Sequence, residues 1–170
     1  MKRMFFVFLV LGMTSFFLYA QKNRKRVPQE RLAGTWQLLS VDNINADGGR
    51  THPYGPDPQG ILIFDTYGNY AIQILKAVRP KVASGDKNNC TPEENAALVQ
   101  GSNAHFGKYF VDKKNHTIVF RIDHASFPNW EGTEQKRVYT YKGNEMKYVV
   151  TNTTQGGQSV IAEVVWRRRE

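Results

Sequence analysis

The chain carries a single cysteine among its 170 residues, so no disulfide can form within it and packing alone must hold the fold. Cys90 lies in the polar stretch Asp86-Lys87-Asn88-Asn89-Cys90-Thr91, with no basic or imidazole residue immediately beside it, and reads as a loop thiol rather than a nucleophile. There is no glycine-rich phosphate loop, no His/Cys set at zinc spacing and no Gly-x-Ser-x-Gly elbow. The four histidines, His52, His105, His116 and His124, fall on separate segments. These absences remove the common nucleotide-, zinc- and serine-dependent classes and point to no metal, no cofactor and no catalytic set. Beyond the first twenty residues there is no long apolar run, and the chain has neither an internal repeat nor a low-complexity tract.

Excess charge is also missing from the body of the chain. The formal net charge is +8, but six basic residues (Lys2, Arg3, Lys22, Arg24, Lys25, Arg26) stand at the start and three (Arg167, Arg168, Arg169) at the end. Setting these nine aside leaves 14 of the 23 basic residues against 15 acidic ones. Nucleic-acid binding needs a basic face on the domain itself, so it is excluded as a partner class. The basic tails are expected either to be solvated or to meet an anionic membrane surface.

The N-terminus reads as an export signal. Lys2 and Arg3 precede the apolar stretch 4–17, and Leu18-Tyr19-Ala20 offers a cleavage site before Gln21. The alternative is an uncleaved membrane anchor, because 4–20 reaches the short end of the roughly 17–25 residues that a spanning helix needs. Either reading puts the folded part outside the cytoplasm, periplasmic or secreted. The chain therefore divides into a signal peptide at 1–20, a basic tail at 21–31 and one domain at 32–170, long enough for a sizeable core.

Short alternating strands separated by turns fill that domain. Strands are expected at 34–42, 50–54, 61–65, 70–76, 106–112, 116–124, 133–141, 145–152 and 158–168. Asn45-Ala46-Asp47-Gly48-Gly49 is a hairpin turn by composition. One short lid-like helix begins at Thr91-Pro92-Glu93-Glu94, which combines capping-box spacing with proline in the first turn. Consecutive hairpins favour an all-β, closed, antiparallel up-and-down barrel. Gly34-Thr35-Trp36 on the first strand and Val164-Val165-Trp166-Arg167 on the last suit a sheet whose ends meet, with Trp36 as core beneath Arg167 or Arg168.

Alternation sorts the strand faces. Trp36, Leu38 and Ser40 fall on one face of the first strand, with Leu39 and Val41 on the other. On 116–124, Ile118, Phe120, Ile122 and His124 share the face expected inside; His124 is either a proton donor and acceptor in the cavity or a histidine at the barrel mouth. Phe127 and Trp130 lie in the following loop, positioned to close over a ligand or to plug the barrel end. On 133–141, Arg137, Tyr139 and Tyr141 are read as an inward polar patch able to hold an anionic head group. The expected ligand-binding residues are Tyr109, Phe120, Ile122, His124, Phe127, Trp130, Glu134 and Arg137.

The run from Leu32-Ala33-Gly34-Thr35-Trp36 through Tyr54-Gly55-Pro56-Asp57-Pro58-Gln59-Gly60, Ala83-Ser84-Gly85-Asp86, Thr91-Pro92-Glu93-Glu94 and Phe106-Gly107-Lys108-Tyr109 resembles the bacterial and fungal lipocalin-like domain family. So does the segment from His124-Ala125-Ser126 through Phe127-Pro128-Asn129-Trp130-Glu131 to Gly132-Thr133-Glu134-Gln135, with Arg137 after it. Lys108 departs from the smaller or polar residue expected there. The resemblance implies a calycin-type barrel with an internal cavity, whose rim takes in the segment around Trp130, Tyr109 and the loop from Tyr54. It supplies no catalytic set.

Three functions follow. The first is an exported barrel that binds a small, mainly apolar or amphipathic molecule. The second is an isomerase or cyclase using His124 with a carboxylate, and the third is an interaction module whose barrel is filled by its own side chains.

Overall fold

Nine strands, one helix and one short 3-10 turn succeed one another in the computed structural model, which describes residues 31–151 and 160–169. The expected signal segment and all of the basic tail before Arg31 lie outside the described residues. The strands are β1 (Gly34–Ile44), β2 (Arg50–Thr51), β3 (Gln59–Phe64), β4 (Asn69–Leu75), β5 (Ser102–Asp112), β6 (Thr117–Ala125), β7 (Glu134–Lys142), β8 (Glu145–Val150) and β9 (Ile161–Arg168). The helix α1 spans Pro92–Gln100, and the 3-10 turn is Pro128–Trp130.

All pairings are antiparallel, and each strand from β3 onward pairs with the next. The ring closes because β1 pairs with β3 on one side and β9 on the other, with Trp36 opposite Arg168 and Ile44 opposite Ile161. The result is the expected closed barrel of eight strands, with β2 as a two-residue arm on β1.

At the seam the Arg168 guanidinium carbon lies 4.3 Å from the centre of the Trp36 ring, and Arg168 Nη1 donates to Ala33 O at 2.8 Å. Trp36 Nε1 donates to Leu32 O at 2.9 Å, so the chain entering the barrel caps it. Gly34 has φ +130, a conformation that favours glycine, and a Cβ there would sit 2.7 Å from Arg168 Nη1 and push the guanidinium aside. Trp36, Phe64, Tyr109, Met146 and Trp166 fill this end of the barrel. Each such side chain contributes about 1.5–3 kcal/mol by leaving water.

Two β-bulges decide which residues face inward. In β1 the register against β9 slips between Leu38 and Ser40, so Trp36, Leu38, Val41 and Asn43 are the buried positions. This corrects the expectation that Val41 lies on the face opposite Trp36. In β6 the register against β5 slips after Ile122, which pairs with Gly107 while His124 pairs with Phe106. A bulge sets two residues against one and reverses the alternation beyond it. Gly107 makes room for it: a Cβ there would meet Arg121 O at 2.2 Å and Asp123 N at 2.7 Å.

Helix α1 is capped as its sequence requires. Thr91 Oγ1 accepts from Glu94 N at 3.2 Å, and Glu94 Oε2 accepts from Thr91 N at 2.8 Å. The other oxygen of Glu94 accepts from Ala83 N at 2.8 Å and ties the preceding loop to the helix. No residue of α1 is fully buried, so the helix lies beside the barrel opening without plugging it.

Candidate functional site

The half of the barrel away from Trp36 encloses a cavity of about 410 Å³. Its apolar walls come from Val41, Ile72, Ile74, Phe120 and Val164, and its polar lining includes Asn43, His105, Arg137 and Tyr148, with Glu134 and Lys136 also reaching it. Such a volume falls in the lower part of the range of about 300–1,000 Å³ typical of small-molecule sites.

Arg137 projects inward because β7 alternates cleanly, with Gln135, Arg137, Tyr139 and Tyr141 on its covered face. Its Nη1 donates to Lys136 O at 3.1 Å and its Nη2 to Gln135 Oε1. Among the described residues no carboxylate pairs with it. Burial lowers its pKa, while the nearby Tyr148 and Tyr70 oppose that shift. A guanidinium stays protonated in proteins and carries five N–H donors, so a cation with spare donors stands in the cavity wall.

His105 faces the same space at 8% exposure. Its Nδ1 lies 2.8 Å from the Tyr70 hydroxyl, and its ring meets Tyr70, Phe120 and Trp130 edge-on. Burial, with Arg137 adding to it, pushes its pKa down to about 3, so the ring is neutral at neutral pH. Burial also holds the hydroxyl of Tyr148 up at about 12, against the pull of Arg137. The cavity thus sets the Arg137 guanidinium beside the neutral His105 and Tyr148, while Glu134 and Lys136 add charges of opposite sign where β7 begins.

Trp130 stands at the mouth. The loop that carries it is fastened by Ser126 N donating to Ala104 O at 2.7 Å, Ala104 N to Ser126 Oγ at 2.9 Å and Thr133 Oγ1 to Trp130 O at 2.7 Å.

Of the eight residues expected to bind ligand, the structure gathers Phe120, Trp130, Glu134 and Arg137 at the cavity. Glu134 belongs to the exposed face of β7 and reaches the cavity where the strand begins. Phe127 lies in an adjoining groove. Ile122 is fully buried beside Gly107 but does not line the cavity. Tyr109 is buried deeper, with its hydroxyl donating to Asp65 O at 2.8 Å and its ring 4.5 Å from that of Phe64. Tyr139 and Tyr141 face inward as expected but at the opposite end, where Arg31 lies 4.2 Å over the Tyr141 ring.

His124 needs correction. Its side chain is 68% exposed, 3.5 Å from Glu131 and against the Phe106 ring on the outer surface, because the β6 bulge turns it out. The expected face of Ile118, Phe120, Ile122 and His124 therefore breaks at its last member. The inward histidine is His105, which the sequence reading placed just before a strand beginning at 106. The strand begins at Ser102, and position 105 alternates in phase with 107 and 109. That phase was the signal available. Among the described residues, no group of three His, Cys, Asp or Glu side chains is placed to hold a metal ion.

The model of one protein family, described as a lipocalin-like domain, matches residues 33–169. The chain belongs to that family. A comparison with curated proteins gives no match.

Proposed function

We propose that this lipocalin-like domain binds a small amphipathic molecule with one anionic end. The guest's apolar part lies against Ile72, Ile74, Phe120 and Val164, and its anionic group meets Arg137. The family in general suggests small-ligand binding; the head-group chemistry rests on this chain alone. The observation that carries it is the inward arginine without a carboxylate partner, in a cavity of about 410 Å³. Arg137 is half-buried, and a charge partly removed from water is costly unless something pairs with it, so the site is complementary to an anion. Carboxylates and phosphates also match the planar fork of a guanidinium.

Affinity comes from removing the guest's apolar surface from water, at about 25 cal/mol per Å² before the entropic costs of binding. The arginine and the neutral donors around it fix the guest's direction. Export supports the same role. The basic start, the apolar stretch 4–17 and Leu18-Tyr19-Ala20 favour a carrier working outside the cytoplasm.

Native mass spectrometry of the full chain purified from its source tests the proposal. A discrete added mass, identified after extraction as an anionic amphiphile and absent from an Arg137→Gln variant, is the expected result. An added mass that survives Arg137→Gln, or a neutral guest, contradicts it.

A further inference from the structure

Beside the cavity mouth, α1 and the loop at Phe127 enclose a groove of about 700 Å³. Leu98, Val99, Phe127 and Trp130 supply its apolar lining. Tyr54, Asn103 and Trp130 line both this groove and the cavity, so the two spaces adjoin across these three residues. We propose that the groove is a second subsite, holding the apolar tail of the same molecule whose anionic head meets Arg137. The inference rests on the cavity reading above and names the ligand class: an elongated, single-headed alkyl amphiphile, too long for the cavity alone.

Three observations carry it. The apolar groups of the groove are presented to solvent, with Val99 72% exposed and Phe127 42% exposed. Solvation is costly for such groups, and clustered beside a pocket mouth they mark a place where something is bound. The walls are also held in place. The Thr91–Glu94 capping box and the Glu94–Ala83 bond fix the helix start, and the Ser126–Ala104 pair of bonds fixes the loop. Finally, polarity is graded. Arg137, His105 and Tyr148 stand within the barrel, whereas the groove is lined mainly by apolar surface from Pro53, Leu98, Val99, Phe127 and Trp130, with Lys76 and Ser126 also reaching it. Trp130 joins the two regions, edge-on to His105 at 6.0 Å and to Phe127 at 5.3 Å between ring centres. A head-in, tail-out amphiphile matches that gradient, and a compact guest leaves the groove bare.

Calorimetric titration of the full chain with octanoate and with tetradecanoate, below their aggregation concentrations, tests this. Each buried methylene is worth about fourfold in affinity. Tetradecanoate is expected to bind at least about thirtyfold tighter than octanoate, as a few buried methylenes suffice for that. The substitutions Val99→Asp and Phe127→Ser, both at exposed positions, should cut tetradecanoate affinity at least about fivefold and leave octanoate within about twofold. Equal affinities for the two acids overturn the groove and leave the cavity reading standing. So do losses shared alike by both acids, provided circular dichroism shows the variants folded. If neither acid binds, both readings fall.

Discussion

Replacing Gly107 by alanine tests the feature that sorts the inner from the outer histidine. The added Cβ would lie 2.2 Å from Arg121 O and 2.7 Å from Asp123 N, both backbone atoms of the bulged strand. Neither can swing aside as a side chain would, so β6 must shift as a whole. Overpacking of this kind costs about 1–3 kcal/mol, and a double backbone contact belongs at the upper end, about 3 kcal/mol. A domain of this size loses roughly 0.3 kcal/mol of stability per degree near its midpoint, so the melting temperature should fall by roughly 10 °C. Gly143→Ala is the control. That glycine has φ +61 and open space around it, so alanine there bears only the left-handed backbone cost of about 1 kcal/mol, or roughly 3 °C. Thermal unfolding followed by circular dichroism reads both. A Gly107→Ala melting point no lower than that of the control refutes the claim that the bulge backbone crowds this glycine.

Other outcomes follow from the same geometry. His105 has its folded-state pKa pushed down to about 3 from an ordinary 6.5, so its neutral form suits the fold and its proton destabilises it. Its contribution is complete above about pH 6.5 and is lost as pH falls toward 3, by about 1.4 kcal/mol per pH unit. Urea unfolding at pH 7.5 and pH 5 should therefore show the wild type losing about 2 kcal/mol more than His105→Phe; equal losses would remove His105 from the account. Arg137→Met should leave the stability of the empty barrel within about 1 kcal/mol, because the half-buried charge has no carboxylate partner to lose, while anion binding disappears. A strong loss of stability in urea would show that the arginine serves the fold instead. Arg168→Ala removes the contact over Trp36 and the bond to Ala33 O, and should cost about 1–2 kcal/mol of unfolding free energy. A change below about 0.5 kcal/mol would show that the barrel end closes without it.

Much of this molecule was legible because strand alternation is a local property. The strand order, the capped helix at Thr91 and the pairing of Trp36 with a terminal arginine follow from period-two patterning and turn chemistry. The inward set of Arg137, Tyr139 and Tyr141 does not, since alternation groups these residues but neither face of β7 is cleanly apolar. Alternation failed in β1 and β6, where a bulge puts an extra residue into one strand. Nothing in the strand's own residues marks such an insertion. For β6 the evidence lies across the sheet, in Gly107 on the partner strand β5, where a side chain would not fit. His105 was missed for another reason. The segment Ser102-Asn103-Ala104 is a weak strand former, and it is held as strand by pairing with Leu75, Ile74 and Gln73. The cavity itself depends on how large side chains distribute between the two ends, and no single-strand pattern contains that.

The central claim is that an inward guanidinium selects an anionic guest for the barrel. Isothermal titration of the full chain with dodecanoate and with dodecanol, which share a chain and differ in the head group, tests it most directly. A charge-assisted hydrogen bond is worth about 1.5–3 kcal/mol, so dodecanoate should bind at least about tenfold tighter than the alcohol, and Arg137→Gln should erase the difference. Equal affinities in the wild type, or a preference that persists without Arg137, would contradict the account.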